Sequence, residues 1–192
     1  MPRIPVHARA AGVEDVPLLV GLWGELRHVG ARTERAVTPL AITDVGSCLV
    51  EAIASDDCRV VLAMDGAEAA GMAVLRDHRP DPLSAHRVVQ MSHVVVAPGK
   101  RRRGVGHALV AAAADFADER QIDHVVSGVY PSMRDASRFY ARLGFAPVLV
   151  QRVAPVSVLR RRLGGGIAPA FGVLRRPVPS QRARARLGER AE

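Results

Sequence analysis

Residues 94–114 constrain most strongly what this chain can fold into, because three kinds of local structure follow one another there without a gap. Val94-Val95-Val96 are β-branched and favour a strand, and the stretch Arg87–Val96 around them is long enough to be one. Arg101-Arg102-Arg103-Gly104-Val105-Gly106 is a basic turn bearing two glycines. Gly104–Arg120 is then mostly Ala, Leu and Val and predicts a helix. The first N–H groups of a helix lack internal partners and are partly positive, so an anion can rest on them. Glycines at 104 and 106 would let the backbone approach such an anion, and the arginines would add charge-assisted hydrogen bonds. Taken alone, the segment reads equally well as an anion cradle or as a basic turn capping a helix. It is not a Walker loop, since no Gly-Lys-Ser/Thr follows, and it lacks the GxGxxG dinucleotide fingerprint.

Around this segment the chain alternates between strand and helix signals. Val6–Ala10 alternates weakly and predicts a first strand. Glu14 and Asp15 open a helical pattern in which Val16, Leu19, Leu22, Trp23 and Leu26 recur at spacings of three and four. Pro17 fits its first turn, and Trp23 reads as core rather than as a cofactor platform. A second short helix is expected from Thr43 to Ala54. Cys58–Met64 and Ala70–Arg76 read as a hairpin around Asp65-Gly66. The loop His78–Ser84 leads into the long strand Arg87–Val96. His124–Val129 reads as a strand and Pro131–Leu143 as a helix stopped by Gly144. Phe145–Gln151 and Val156–Leu163 are expected to close the sheet as an antiparallel pair. The fold class is thus α/β (α+β), a mixed twisted sheet of about six to seven strands flanked by about four helices on both faces.

Composition narrows the function classes only a little. A chain of 192 residues, 48% hydrophobic but only 4% aromatic, must fill its interior with small aliphatic side chains. No apolar run approaches the roughly 20 residues a bilayer requires, and Glu14 and Asp15 follow Arg3 and His7 where a leader would be apolar. A soluble, cytoplasmic protein without membrane partners is expected. Cys48 and Cys58 are too few for a disulfide framework and carry no zinc spacing, so no metal is expected. The net charge of +8 admits nucleic acid as a partner. However, Lys100 is the only lysine, an arginine skew that GC-rich coding would also produce. From Gly164 the chain changes character: Gly164-Gly165-Gly166, Pro177, Pro179 and alternating Arg182, Arg184 and Arg186 read as a flexible or loosely docked basic tail over 164–192.

A second segment gives the basic turn its meaning. Ala136-Ser137-Arg138-Phe139-Tyr140-Ala141-Arg142-Leu143-Gly144-Phe145 lies one strand and one helix downstream. Together the two segments resemble the GNAT superfamily of N-acetyltransferases, whose pattern is R/Q-x-x-G-x-G/A followed by N-x-x-A-x-x-Φ-Y-x-x-x-G-F. Arg101, Gly104 and Gly106 match the first motif; Ala136, Phe139, Tyr140, Gly144 and Phe145 match the second. With the element order, the likeness spans roughly residues 4–163, so residues 1–163 are expected to form the acyltransferase domain. The resemblance implies acetyl-CoA as co-substrate, with pantetheine in a gap beside the long strand and bonded by the main chain of Val94 and Val96. The amides of Arg101, Arg102, Arg103, Gly104, Val105 and Gly106 would then hold the pyrophosphate. Tyr140 would be the general acid that protonates the departing thiolate.

Two departures temper the catalytic half. Met133 stands where the family has asparagine, so that contact would move to Ser132. Gln90 stands where some members have a glutamate base. Strand alternation would put Gln90, Ser92 and Val94 on one face and Met91, His93 and Val95 on the other, leaving His93 on the wrong face and His86 near the strand start. The acceptor amine is undefined, although Val29–Leu40 with Arg32, Glu34 and Arg35, and the loops near His78–His86 and Gln151–Pro155, are expected to shape its site. A homodimer is left open. The competing reading is a GNAT-fold binding module whose arginine tail contacts RNA, ribosome or another acidic partner.

Overall fold

In the computed structural model, which describes residues 5–30, 44–130 and 132–164, two central strands that pair through a tight turn are each buried on both faces along their middle. These are β2 (Cys58–Asp65) and β3 (Glu68–His78), joined at Gly66, whose φ of +68° suits a residue without a Cβ. β1 (His7–Ala10) adds antiparallel to β2, β4 (Val88–Val96) antiparallel to β3, and β5 (Val125–Ser127) parallel to β4. The sheet order is β1-β2-β3-β4-β5, so only the last step needs a crossover. That crossover is the helix α3 (Val105–Glu119), which covers one face, while α1 (Val16–Gly30) and α2 (Val45–Ala54) cover the other.

Two apolar layers result. Val61, Ala63, Leu75, Val89 and Met91 of the sheet meet Val105, Leu109, Ala113 and Phe116 of α3. Val60, Leu62, Met72 and Val95 meet Leu19, Leu22 and Leu49 from α1 and α2. Small aliphatics fill most of the interior, as the composition required. Fully buried Phe116 is the exception, and the guanidinium carbons of Arg59 and Arg120 lie 4.6 and 4.4 Å from its ring centre. On the first turn of the chain, Arg9 grips the buried Asp15 with two bonds of 2.6 and 2.7 Å, and the Gly12 N–H donates to the same carboxylate. That pairing holds the Asp15 carboxyl down at about 2.

The sheet has five strands and the described residues hold five helices, against the six to seven strands and four helices expected. The difference lies after Phe145. Residues 145–155 form no strand, and Val156–Arg162 is a helix, α5, not the last strand of an antiparallel pair. Pro147 has no N–H to give a ladder, and Pro155 breaks any strand running into Val156. The Pro155 carbonyl instead accepts the N–H groups of Val158 and Leu159, and Leu159-Arg160-Arg161-Arg162 are good helix formers. β5 is also shorter than His124–Val129, and α4 (Arg134–Arg142) starts later than Pro131. By contact the chain divides into two compact units, Met1–Pro147 and Val148–Glu192. Of the second, the described part is α5 and the exposed Val148-Leu149-Val150 before it. The arginine tail and the segment with Arg32, Glu34 and Arg35 lie outside the described residues.

Candidate active site

β4 and β5 are partners only briefly. Val89 pairs with Val125, Gln90 with Val126 and Met91 with Ser127, and β5 ends there. From Ser92 to Val96 the edge of β4 away from β3 meets no strand among the described residues. Which main-chain groups face that open edge follows from a bulge. Val74 opposes Ser92 and Met72 opposes Val95, so His93 and Val94 together stand opposite Ala73. His93 takes up the extra residue with φ +51°, a left-handed conformation in which histidine is among the better-tolerated side chains. Before the bulge the Val89 N–H reaches His124 on the β5 side; after it the Ala97 N–H reaches Ala70 on the β3 side, at 2.9 Å. Alternation back from Ala97 turns the main chains of Val94 and Val96 toward the open edge. The two residues singled out from the sequence therefore line the gap.

The same bulge corrects the expected alternation of side chains. Val89 and Met91 pack with α3, and so do Val94 and Val96, which a strand of strict period two could not achieve. Val95 packs with α1 and α2, and His93 lies against Trp23 of α1 with ring centres 5.0 Å apart. His93 thus shares a face with Gln90 and Ser92 rather than opposing them, and Val94 does not share it. His86 stands near His124, ring centres 6.1 Å apart, before the opposite end of β4.

The basic turn leaves β4 through a short 3-10 turn at Pro98–Lys100 and enters α3 at Gly104, whose φ is +92°. No side chain caps α3, and the first N–H to find a helical carbonyl is that of Ala108, at 2.9 Å from Gly104 O. The amides of Val105, Gly106 and His107 thus stand at the helix start outside the ladder. The four cations of the turn are not equivalent. Lys100 pairs with Asp65 (3.1 Å) and Glu68, and Arg103 with Asp65 (3.1 Å), so the β2–β3 turn neutralises both. Those bonds, Lys100's first, hold the Asp65 carboxyl below its ordinary range. Arg101 and Arg102 are exposed and form no ion pair among the described residues. Nothing in the run Lys100-Arg101-Arg102-Arg103 announces this division.

The two motifs meet at one contact. A Cβ on Gly106 would lie 3.0 Å from the ring tip of Phe139, and the His107 and Phe139 ring centres are 5.3 Å apart, edge to face. Gly106 is therefore needed for the approach of α4, whereas a Cβ on Gly104 would meet nothing within 4 Å. Next along α4, Tyr140 is buried, 8% exposed. Burial pushes its phenol above the ordinary value, and the Ser127 hydroxyl beside it acts against that rise. Ser127 Oγ lies buried beside the phenol, with no hydrogen bond of ordinary geometry among the described residues. Because Ser127 is the residue at which β5 leaves β4, Tyr140 sits at the mouth of the gap. α4 ends as Gly144 was expected to end it. Gly144 has φ +89°, the Phe145 N–H bonds Tyr140 O at 3.1 Å and the Gly144 N–H bonds Ala141 O at 3.1 Å. The Phe145 ring closes on Tyr140 at 5.0 Å. At the other end Met133 occupies the N-cap with no side-chain bond, and Ser132 is exposed just before it, accepting the Arg134 N–H through its carbonyl.

The family model described as "Acetyltransferase (GNAT) family" matches residues 34–145, a stretch that includes both motifs and the gap. The chain belongs to the GNAT family. Its fold recurs in solved structures at low sequence identity. A ribosomal-protein-alanine N-acetyltransferase from Brucella melitensis is 19% identical, with TM-score 0.61, over 79% of this chain and 99% of that one. An aminoglycoside acetyltransferase from a soil metagenomic sample is 16% identical, with TM-score 0.62, over 78% and 95%. A Bacillus halodurans protein described as a transcriptional regulator is 23% identical, with TM-score 0.65, over 78% and 99%. No curated protein sequence matches the GNAT chain described here. Among its described residues no group of three or more His, Cys, Asp or Glu could hold a metal ion, and no helix is long and apolar enough to cross a membrane.

Proposed function

We propose that the chain transfers an acetyl group from acetyl-CoA to an amine, and that the gap opening beyond Met91 and Ser127 receives the pantetheine arm. The carrying observation is the coincidence of three features at one end of β4: a main-chain edge at Val94 and Val96 that pairs with no strand among the described residues, amides outside the ladder at the start of α3, and buried Tyr140 beside Ser127, where β5 ends. An extended amide-bearing chain satisfies an open strand edge as another strand would. The amides of Arg101 through Gly106, with the unpaired Arg101 and Arg102 guanidiniums, suit a pyrophosphate, and Ser132 lies at the adjoining start of α4.

The amine attacks the thioester carbonyl directly, an N–H on the open edge stabilises the developing oxyanion, and Tyr140 gives its proton to the leaving thiolate. A phenol held above its usual pKa is fully protonated at pH 7 and so has a proton to give; because a thiol of pKa about 8.5 is the stronger acid, the transfer goes forward only as the proton shed by the amine returns to the phenolate. Calorimetry with acetyl-CoA should show binding with one site per chain, and a thermal shift should accompany it. Absence of both would remove the reading. Tyr140→Phe should bind CoA as tightly and turn over about 100-fold more slowly. Unchanged turnover would remove the acid role and leave the cofactor reading standing. The acceptor class is open within primary amines, from small molecules to protein N-termini.

A further inference from the structure

The bulge in β4 does more than free the main chain of Val94. It also turns the His93 imidazole to the α1 face of the strand, beside the Ser92 hydroxyl and against the Trp23 indole of α1, at the residue just before the gap-lining main chain. Ser92 Oγ lies 3.3 Å from Val74 O, and because a hydroxyl has a single proton, its only way to satisfy that carbonyl is to donate to it. The same Oγ lies 3.0 Å from His93 Nδ1, and with its proton committed it accepts there. The tautomer assigned from this network has the proton on Nδ1 and a lone pair on Nε2. Trp23 packs against the ring, and its own Nε1–H is buried without a hydrogen-bond partner among the described residues.

We propose that His93 is the base that takes the proton of the acceptor ammonium on Nε2, with Ser92 as the positioning residue that fixes the tautomer and Trp23 as the wall of the acceptor subsite. This rests on the acyl-transfer reading above. An amine that is protonated in solution must lose a proton before its nitrogen can attack, and Gln90 cannot take it. The step balances as follows. The ammonium N–H bond breaks and an Nε2–H bond forms. The amine lone pair then makes the C–N bond, the C–S bond breaks toward sulfur, and Tyr140 protonates the thiolate. The second amine proton, shed as the amide forms, replaces the one Tyr140 gave, and the imidazolium releases its proton to solvent. His93 is an exposed residue, but its ring is partly buried, which lowers its pKa, so the base is neutral at pH 7. Among the described residues the ring meets Trp23 from α1 and Ser92 from its own strand, neither of them charged, and burial is the cause of its lowered pKa. The free indole N–H is the donor left over at the same place, suited to an acceptor bearing an oxygen beside its amine.

The test uses the full chain with acetyl-CoA bound. Long-range nitrogen–proton NMR of the histidine side chains, with His93→Asn supplying the assignment, should show His93 as the Nδ1–H tautomer, and Ser92→Ala should move it toward Nε2–H. Asparagine tolerates the left-handed backbone at this position, so the variant keeps the bulge. Amine-dependent thiol release is then followed with the fastest acceptor among methylamine, glycinamide and an alanyl dipeptide. His93→Asn should lower kcat/KM about 100-fold at pH 7 and abolish its fall at acid pH, with acetyl-CoA affinity unchanged. A wild-type Nε2–H tautomer, or a His93→Asn enzyme with the parental rate and pH profile, would overturn the proposal while leaving acyl transfer intact. Failure of the parent to bind acetyl-CoA, or to release thiol with any of the three amines, would overturn both together.

Discussion

At the scale of single residues, the sharpest electrostatic commitment is Asp15. Its bonds to Arg9, and then the Gly12 N–H, overcome the burial that would raise its pKa and hold the carboxyl at about 2. A depressed carboxyl contributes stability that is complete above its unfolded value near 3.8 and is lost as pH falls through about 2. Arg9 is 44% exposed on its side chain, so solvent screening limits the contribution to about 1 kcal/mol. Asp15→Asn should therefore be less stable than the parent by that amount at pH 6, and the two denaturation curves should converge toward pH 2. Gly106 poses a different residue-scale problem. Alanine would improve helix propensity by up to about 1 kcal/mol but would press on Phe139 at 3.0 Å, and overpacking costs about 1–3 kcal/mol. Gly106→Ala should lose about 1 kcal/mol net in chemical denaturation, with a larger proportional loss of acetyl-CoA affinity as α4 is pushed from α3.

At the scale of elements, the β4–α3 turn separates cations that hold the protein from cations that are free for a ligand. Lys100 and Arg103 are committed to Asp65 and Glu68, so the turn is braced against the β2–β3 hairpin, while Arg101 and Arg102 face solvent. Removing both free guanidiniums should weaken acetyl-CoA binding about 10- to 100-fold at low salt, and less at high salt, because exposed charges are screened there. Lys100→Ala should change affinity far less and instead loosen the hairpin. Calorimetry at two ionic strengths distinguishes the two. None of this pairing was visible in the run Lys100-Arg101-Arg102-Arg103, because Asp65 lies 35 residues away and meets the turn only through the sheet. The helix terminus at Gly144 was legible for the opposite reason: its bonds span five residues, and a glycine there answers a purely local need for positive φ.

For the whole molecule, the two apolar layers share one sheet, and Phe116 anchors the larger of them. Its ring is fully buried and clasped by Arg59 and Arg120, which are themselves held by Glu119 and Asp77. Phe116→Ala should cost about 3–5 kcal/mol in urea or guanidinium titration, a large share of the stability of any domain this size. Every buried residue among those described lies at or before Tyr140, which places the core wholly inside the unit Met1–Pro147.

Periodicity, glycines and the spacing of two motifs were enough to determine the family and the order of elements through α4. Each of these depends on near neighbours in the chain or on patterns that repeat along it. Three things were decided only when the chain folded. The bulge at His93 has no glycine to announce it and exists because Met72 and Val74 of β3 pair on either side of an extra residue. The stretch after Phe145 alternates enough to suggest strands, but Pro147 and Pro155 deny it a ladder. And β5 stops at Ser127 while β4 runs on to Val96, a mismatch of strand lengths that no single strand's sequence records. That mismatch is the gap on which the proposed chemistry depends. It arises from how far two separate segments remain in register, which is a property of their pairing and not of either one.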